Sequence, residues 1–285
     1  MEYVNVDRSC LEYMTKGHRQ AEPVIFIHGS VIANANVPLL AQSVLMNHYY
    51  LISYHRRGFA GSSKYTDNEV ISISKQALEC QKLMCYLDIK SAHIVGHSHG
   101  GVIALQLALD YPDSVHSLSL LEPALIEYIP NSQKYIREHM PIIQMYEKGD
   151  KAQAIDGFLD LVGGIRCHNL LDRILPGAFE QAVVDADSLF KIDMPAMKSW
   201  KITQEEITTR INDNNSNSNN SKPVLSVHGS DSKSMFAEMH ELVLKWFPQA
   251  EALVLSKATH WLQLTNPKGL AEGLDAFFAM HSVGQ

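Results

Sequence analysis

The sequence predicts an α/β protein: a mostly parallel, doubly wound central sheet with an inserted helical cap. Three observations carry that expectation. Short all-apolar runs, as expected of strands buried on both faces, alternate with amphipathic stretches of helical spacing. One such run passes through a single turn, Gly96-His97-Ser98-His99-Gly100, straight into an apolar helix. From roughly Pro123 to Arg210 the alternation stops, and it resumes at Pro223.

Taken in order, the first residues alternate in character and predict an edge hairpin. Pro23 to Ile27 is the first buried strand, and a helical stretch follows around Leu39 to Asn47. Tyr49 to Tyr54 is the next strand. Gln76 to Leu87 reads as an amphipathic helix, with Ala77, Leu78, Leu83, Met84 and Leu87 on one face. The strand and helix around Ser98 come next, then strand Val115 to Leu121. After the interruption, strand Pro223 to Val227, a helix leading to Trp246, strand Ala252 to Leu255 and a helix from Pro267 to Met280 complete the pattern. Residues 1–122 and 222–285 form the expected core and 123–211 the cap. The Asn/Ser-rich stretch 212–221 cannot bury apolar area and reads as a flexible surface loop.

Composition narrows the function classes. With 285 residues and 46% hydrophobic content, the chain can bury one large core. A formal charge of −7 argues against nucleic acid or an anionic membrane as partner. Cys10, Cys80, Cys85 and Cys167 form no C-x-x-C pair, so reduced thiols are the default. No signal peptide or membrane-length apolar window is visible, which predicts a soluble cytoplasmic protein. The sequence leaves monomer and homodimer equally open.

Ser98 is the focal residue. A strand feeding a G-x-S-x-G turn strains the serine backbone and pushes its hydroxyl above the sheet edge. Gly96 and Gly100 let strand and helix approach without a side-chain clash. The His99 amide opens the helix, where unpaired N–H groups favour negative charge. The plainer alternative is that Ser98 only caps that helix.

With these residues in view, the chain resembles the serine-nucleophile, capped members of the α/β-hydrolase superfamily over nearly its full length. Four landmarks support the resemblance: Phe26 to Ser30, the turn Tyr54 to Ser63, the Ser98 turn, and Ala258-Thr259-His260-Trp261. The resemblance implies a second oxyanion donor just after His28-Gly29, which points to the Ser30 amide, with Val31 as the alternative. The turn Tyr54 to Ser63 looks like the family's R-G-x-G-x-S segment with one residue added, and reads as structural. His260, in the last loop above the sheet, is the expected base. Two residues compete as the acid that orients it. Asp231 lies in Gly229-Ser230-Asp231-Ser232, one residue early for the family's usual turn; Glu122 ends the preceding strand and needs no register change.

The function implied is a serine esterase that acts on a small, apolar acyl substrate through an acyl-enzyme, with no cofactor and no metal. The same residues also serve carbon–carbon bond hydrolysis, lactone opening and perhydrolysis in relatives. A ligand receptor on the same scaffold is the reading of a different class. His97 and His99 flank the serine, but lack a nearby Cys or carboxylate to complete a metal site. His28, Tyr128 and Trp261 are expected to line the substrate pocket. The apolar cap residues Ile126, Met140, Ile143, Met145, Tyr146, Phe158, Leu161, Phe190, Met194, Met197 and Trp200 suit a flexible hydrophobic pocket as a set, while packing between cap helices is the plainer reading for any one of them.

Overall fold

A computed structural model describes all residues except 8, 67–68, 165–166, 212–220 and 284–285. The Asn/Ser-rich stretch therefore lies, but for Ser221, outside the described residues. Eight strands form one sheet: β1 (Glu2–Val6), β2 (Ser9–Lys16), β3 (Glu22–Ile27), β4 (Tyr49–Tyr54), β5 (Ala92–His97), β6 (Val115–Leu121), β7 (Val224–Gly229) and β8 (Glu251–Leu255). Their order is β1-β2-β4-β3-β5-β6-β7-β8. β1 and β2 form the antiparallel edge, and β2 meets β4 antiparallel. All other pairs are parallel.

Strand periodicity divides the core into two clusters. On β3, Ile25 and Ile27 join one cluster while Val24 and Phe26 join the other, because successive side chains point to opposite faces. Helices Ile73–Tyr86, His99–Asp110 and Ser234–Trp246 contribute Leu83, Leu105 and Met239 to the first cluster. Short helices and the last helix, Pro267–Met280, contribute Leu39, Leu45, Leu274 and Phe278 to the second. The sheet is thus wound on both faces, and β4 and β5 are buried along their whole length.

Two of the expected helical stretches differ in their bounds. The stretch at Leu39 to Asn47 is two helices, Val37–Leu40 and Ser43–His48, because Gln42 between them is extended (ψ 122°). The helix expected from Gln76 begins a turn earlier at Ile73, where the Ser72 hydroxyl accepts the Lys75 amide as an N-cap.

Between β6 and β7 lie helices Ser132–Glu147, Lys151–Gly163, Cys167–Ile174, Ala178–Val184, Met194–Ser199 and Gln204–Arg210, with a π-helical turn at Ser188–Asp193. Their Ile142, Ile155 and Leu159 belong to the same apolar cluster as the sheet's first face. The insertion therefore packs on the sheet layer as continuous core. Among the described residues, no helix is long and apolar enough to cross a membrane.

Gly157 sits mid-helix in Lys151–Gly163, and a Cβ there would meet nothing closer than Ile142 at 3.5 Å. Gly157→Ala should raise stability by about 0.5–1 kcal/mol, read as a higher thermal midpoint. An unchanged or lower midpoint would contradict this packing.

Candidate active site

β5 ends at His97 and the next helix begins at His99, so Ser98 alone makes the turn. Its backbone sits at φ +53°, ψ −119°, a region costing roughly 1–3 kcal/mol for a side-chain-bearing residue. Three hydrogen bonds hold it. The Ser98 amide donates to the Leu121 carbonyl at 3.0 Å, and the Ser98 carbonyl accepts from the amides of Gly101 (2.9 Å) and Ala124 (3.0 Å). The turn closes because its glycines lack side chains: a Cβ on Gly96 would lie 2.4 Å from the Gly100 carbonyl oxygen, and one on Gly100 2.2 Å from that of Ile27.

Glu122 follows the last residue of β6 and is fully buried, also at positive φ (+43°). Its Oε2 lies 2.7 Å from His260 Nδ1. Its Oε1 accepts the Gly229 amide at 2.8 Å and lies 2.9 Å from His228 Nδ1. Burial pushes the Glu122 pKa up, but the hydrogen bonds from His228, His260 and Gly229 outweigh it. The carboxyl stays ionised, well below its ordinary range. An ionised carboxylate only accepts, so His260 carries its proton on Nδ1 and presents Nε2 as an acceptor in the neutral state. The imidazole is clamped from the sides: Phe236 stacks on it at 3.9 Å with 11° between the planes, and the His97 ring lies 4.7 Å away.

His97 and His99 are both buried and neutral at ordinary pH, burial driving their pKa values down to about 3 and about 4. His97 Nε2 donates to the His260 carbonyl at 2.8 Å, which fixes the loop that carries the imidazole. His99 Nε2 faces two acceptors, Gln76 Oε1 at 3.1 Å and Asp193 Oδ1 at 3.2 Å. Among the described residues, no group of three or more His, Cys, Asp or Glu side chains could hold a metal ion.

Ser98, His260 and Ser30 share the wall of one cavity of about 160 Å³. The remaining lining is mainly apolar, with Ile126, Ile143, Phe158, Met194, Met197 and Met239 from both layers. Lys198 and Glu127, both exposed, add opposite charges to the lining. Tyr128 also lines it, but its hydroxyl is occupied, donating to the Trp200 carbonyl at 3.3 Å and accepting the Ile202 amide at 2.9 Å.

Several expected residues fall elsewhere. Asp231 is exposed, takes the Ser230 hydroxyl at 2.7 Å and does not reach His260; its turn is laced to the next loop through its own amide and the Ala258 carbonyl. The structure brings Glu122 to the imidazole instead. His28 is fully buried behind the cavity: its Nδ1 lies 2.7 Å from the Gly29 carbonyl and its Nε2 accepts the Arg56 amide at 2.9 Å. Trp261 is buried against His97 and His260 rather than on the cavity wall. Of the apolar cap residues, Met145, Tyr146, Leu161 and Phe190 lie off the wall, in line with the plainer packing reading, and Tyr146 stacks on Phe190 at 4.3 Å. Val31, the alternative to Ser30, is buried and not part of the lining. Sequence reasoning missed His228, the second imidazole on Glu122, whose only signal was its place at the end of a buried strand. It also missed Asp193, which lies in the irregular middle block and has no local signal.

A family model described as alpha/beta hydrolase fold matches residues 22–267. The chain belongs to the α/β-hydrolase family. The sn-1-specific diacylglycerol lipase ABHD11 of Mus musculus is 22% identical over 264 residues, covering 90% of this chain and 80% of its own. Fluoroacetate dehalogenase of a Burkholderia species is 38% identical, but over 82 residues, 28% of this chain and 27% of its own. The solved enol-lactonase from Burkholderia xenovorans LB400 superposes with a TM-score of 0.79 at 16% identity, covering 98% of this hydrolase and 100% of its own chain. At that identity the likeness speaks for the fold.

Two outcomes test this geometry. Gly100→Ala should destabilise the hydrolase by about 3 kcal/mol or more, since backbone and not a yielding side chain stands in the way; a small change in thermal midpoint would refute the contact. Glu122 has a depressed pKa in the folded state, so its stabilisation is present at neutral pH and lost as pH falls below the ordinary value of 4.5. The gap in thermal midpoint between wild type and Glu122→Gln should therefore be largest near pH 7 and narrow towards pH 3. A constant gap would mean that the carboxylate is not held in this way.

Proposed function

We propose that this α/β hydrolase is a serine esterase for apolar acyl substrates, with Ser98 as nucleophile, His260 as base and Glu122 as the acid that orients it. The observation that carries this reading is the 2.7 Å contact from Glu122 to His260 Nδ1, with His260 and Ser98 on the wall of one apolar cavity. The Nδ1 proton on the carboxylate leaves Nε2 to take the Ser98 proton as the hydroxyl attacks the ester carbonyl. The tetrahedral oxyanion would receive the amides of His99 and Ser30. His260 Nε2–H then protonates the leaving alcohol, and the acyl group stays on Ser98. Water, deprotonated by the same nitrogen, releases the acid and restores the serine.

The cavity supports a substrate of modest size. An apolar hole of roughly 150 Å³ accommodates benzene, so about 160 Å³ suits an acyl group of similar bulk. The flexible Met194, Met197 and Met239 side chains suit an aliphatic or aromatic group equally. The likeness to a diacylglycerol lipase supports ester chemistry, and lactones, which present the same acyl carbonyl to the serine, are the natural second substrate class.

In a panel of p-nitrophenyl esters, hexanoate should exceed acetate in kcat/KM. About four extra methylenes at about 0.8 kcal/mol each correspond to a gain on the order of 100-fold. Ser98→Ala and His260→Gln should lower kcat by at least about 1000-fold with the thermal midpoint retained. Glu122→Gln should lower it by roughly 1000-fold or more, while Asp231→Asn stays near wild type. Equal, near-wild-type rates for Glu122→Gln and Asp231→Asn would refute the assignment of the acid.

A further inference from the structure

The turn that follows β4 reads from the sequence as structural, yet it delivers one of the most deeply buried side chains of the molecule, Arg56, 1% exposed. Its guanidinium is used on both arms. Nη1 donates to Gln76 Oε1 at 2.6 Å and to Asp193 Oδ1 at 3.0 Å. Nη2 donates to Asp193 Oδ2 at 2.7 Å and to the Gly29 carbonyl at 3.0 Å. The pair with Asp193 is bidentate, the arrangement in which a guanidinium holds a carboxylate most firmly.

The Gly29 carbonyl is the other end of the peptide group that carries the Ser30 N–H. A peptide is planar, so whatever holds its oxygen also aims its N–H. Two donors hold this oxygen. Besides Arg56, His28 Nδ1 lies 2.7 Å away. Because the Arg56 amide donates to His28 Nε2, the ring proton sits on Nδ1 and points at the carbonyl. Burial keeps His28 neutral in this role. A cation on the carbonyl side also polarises the peptide and makes its N–H the stronger donor.

The same cluster reaches the other candidate donor. The His99 ring contacts Gln76 and Asp193, the two groups that Arg56 Nη1 engages. Burial raises the pKa of Asp193, but the Arg56 charge, the neighbouring His99 ring and hydrogen bonds from Arg56 and the Ser30 hydroxyl outweigh it, so the carboxylate remains ionised. Asp193 ends the π-helical turn of the insertion, next to Met194 on the cavity wall.

We propose that Arg56 and Asp193 are positioning residues that hold the Gly29–Ser30 peptide, and with it the oxyanion hole, in register with Ser98. The insertion thereby sets catalytic competence as well as the pocket. This rests on the oxyanion role given above to the Ser30 and His99 amides.

The experiment separates positioning from simple support. Replacing a buried ion pair with apolar residues of similar volume is often neutral for stability, so Arg56→Met/Asp193→Leu should keep its thermal midpoint within a few degrees. Its kcat should fall roughly 10- to 100-fold, less than the about 100- to 1000-fold loss on deleting an oxyanion donor outright, with KM within about threefold. The Ki of a hexyl boronic acid, which forms a tetrahedral adduct on Ser98, should rise in parallel with the loss of kcat/KM. Arg56→Lys, which keeps a cation opposite Asp193 but not the fork, should shift both quantities in the same direction and decides the matter if the double variant does not fold. Unchanged kcat and boronate Ki, or a rise in KM with kcat intact, would overturn the proposal and leave the ion pair a support for the pocket wall. A wild-type enzyme whose ester turnover and boronate binding survive Ser98→Ala would overturn the serine-hydrolase reading itself, and this inference with it.

Discussion

The site depends on parallel strands that go on hydrogen bonding past their last sheet residue. The Ser98 amide, just beyond β5, donates to the end of β6 at Leu121. The Glu122 amide, just beyond β6, donates to Val227 in β7, and the Gly229 amide at the end of β7 donates to the Glu122 carboxylate. Ser230 and Asp231 donate to the carbonyls of Leu255 and Ala258, which ties the rim to the loop bearing His260. These bonds run across the rim from β5 to β8. They hold Ser98 and Glu122 in backbone conformations that isolated residues avoid, and they bring together side chains far apart in the chain.

The polar groups beneath this rim are buried, and burial decides their charge. His28, His97 and His99 are driven towards neutrality by desolvation, whereas Glu122 and Asp193 remain ionised because hydrogen bonds and neighbouring charges outweigh the same penalty. Neutral imidazoles act as fixed braces: His97 holds the His260 carbonyl through one nitrogen, and His28 uses both to span the Gly29 carbonyl and the Arg56 amide. The histidines flanking the serine are thus parts of the scaffold, His97 holding the His260 carbonyl and His99 facing Gln76 and Asp193.

Two of the contacts between the insertion and the sheet layer bear on the site. Its helices share an apolar cluster with the sheet's first face, which keeps the cavity lined mainly by carbon. Asp193 adds a buried bidentate ion pair with Arg56 directly behind the Gly29–Ser30 peptide. Apolar packing is tolerant of side-chain rearrangement, whereas a bidentate ion pair has one geometry. The two contacts together allow an adaptable pocket above a rigid rim.

The amino-acid sequence alone determined the alternation of strands and helices, the family, and the turn at Ser98, because each is written in local apolar periodicity and in glycines whose Cβ atoms would strike backbone. It pointed to His260 by chain order and left Glu122 and Asp231 as candidate partners of the imidazole. Which of the two meets the imidazole is a matter of where β6 and β7 end relative to one another, and that register exists only in the folded sheet. Asp193, His228 and the displacement of His28 and Trp261 from the cavity were likewise invisible, since each depends on contacts between segments 28 to 164 residues apart with no shared local pattern. Local physics wrote the elements; long-range packing chose which side chains face the cavity and which are locked behind it.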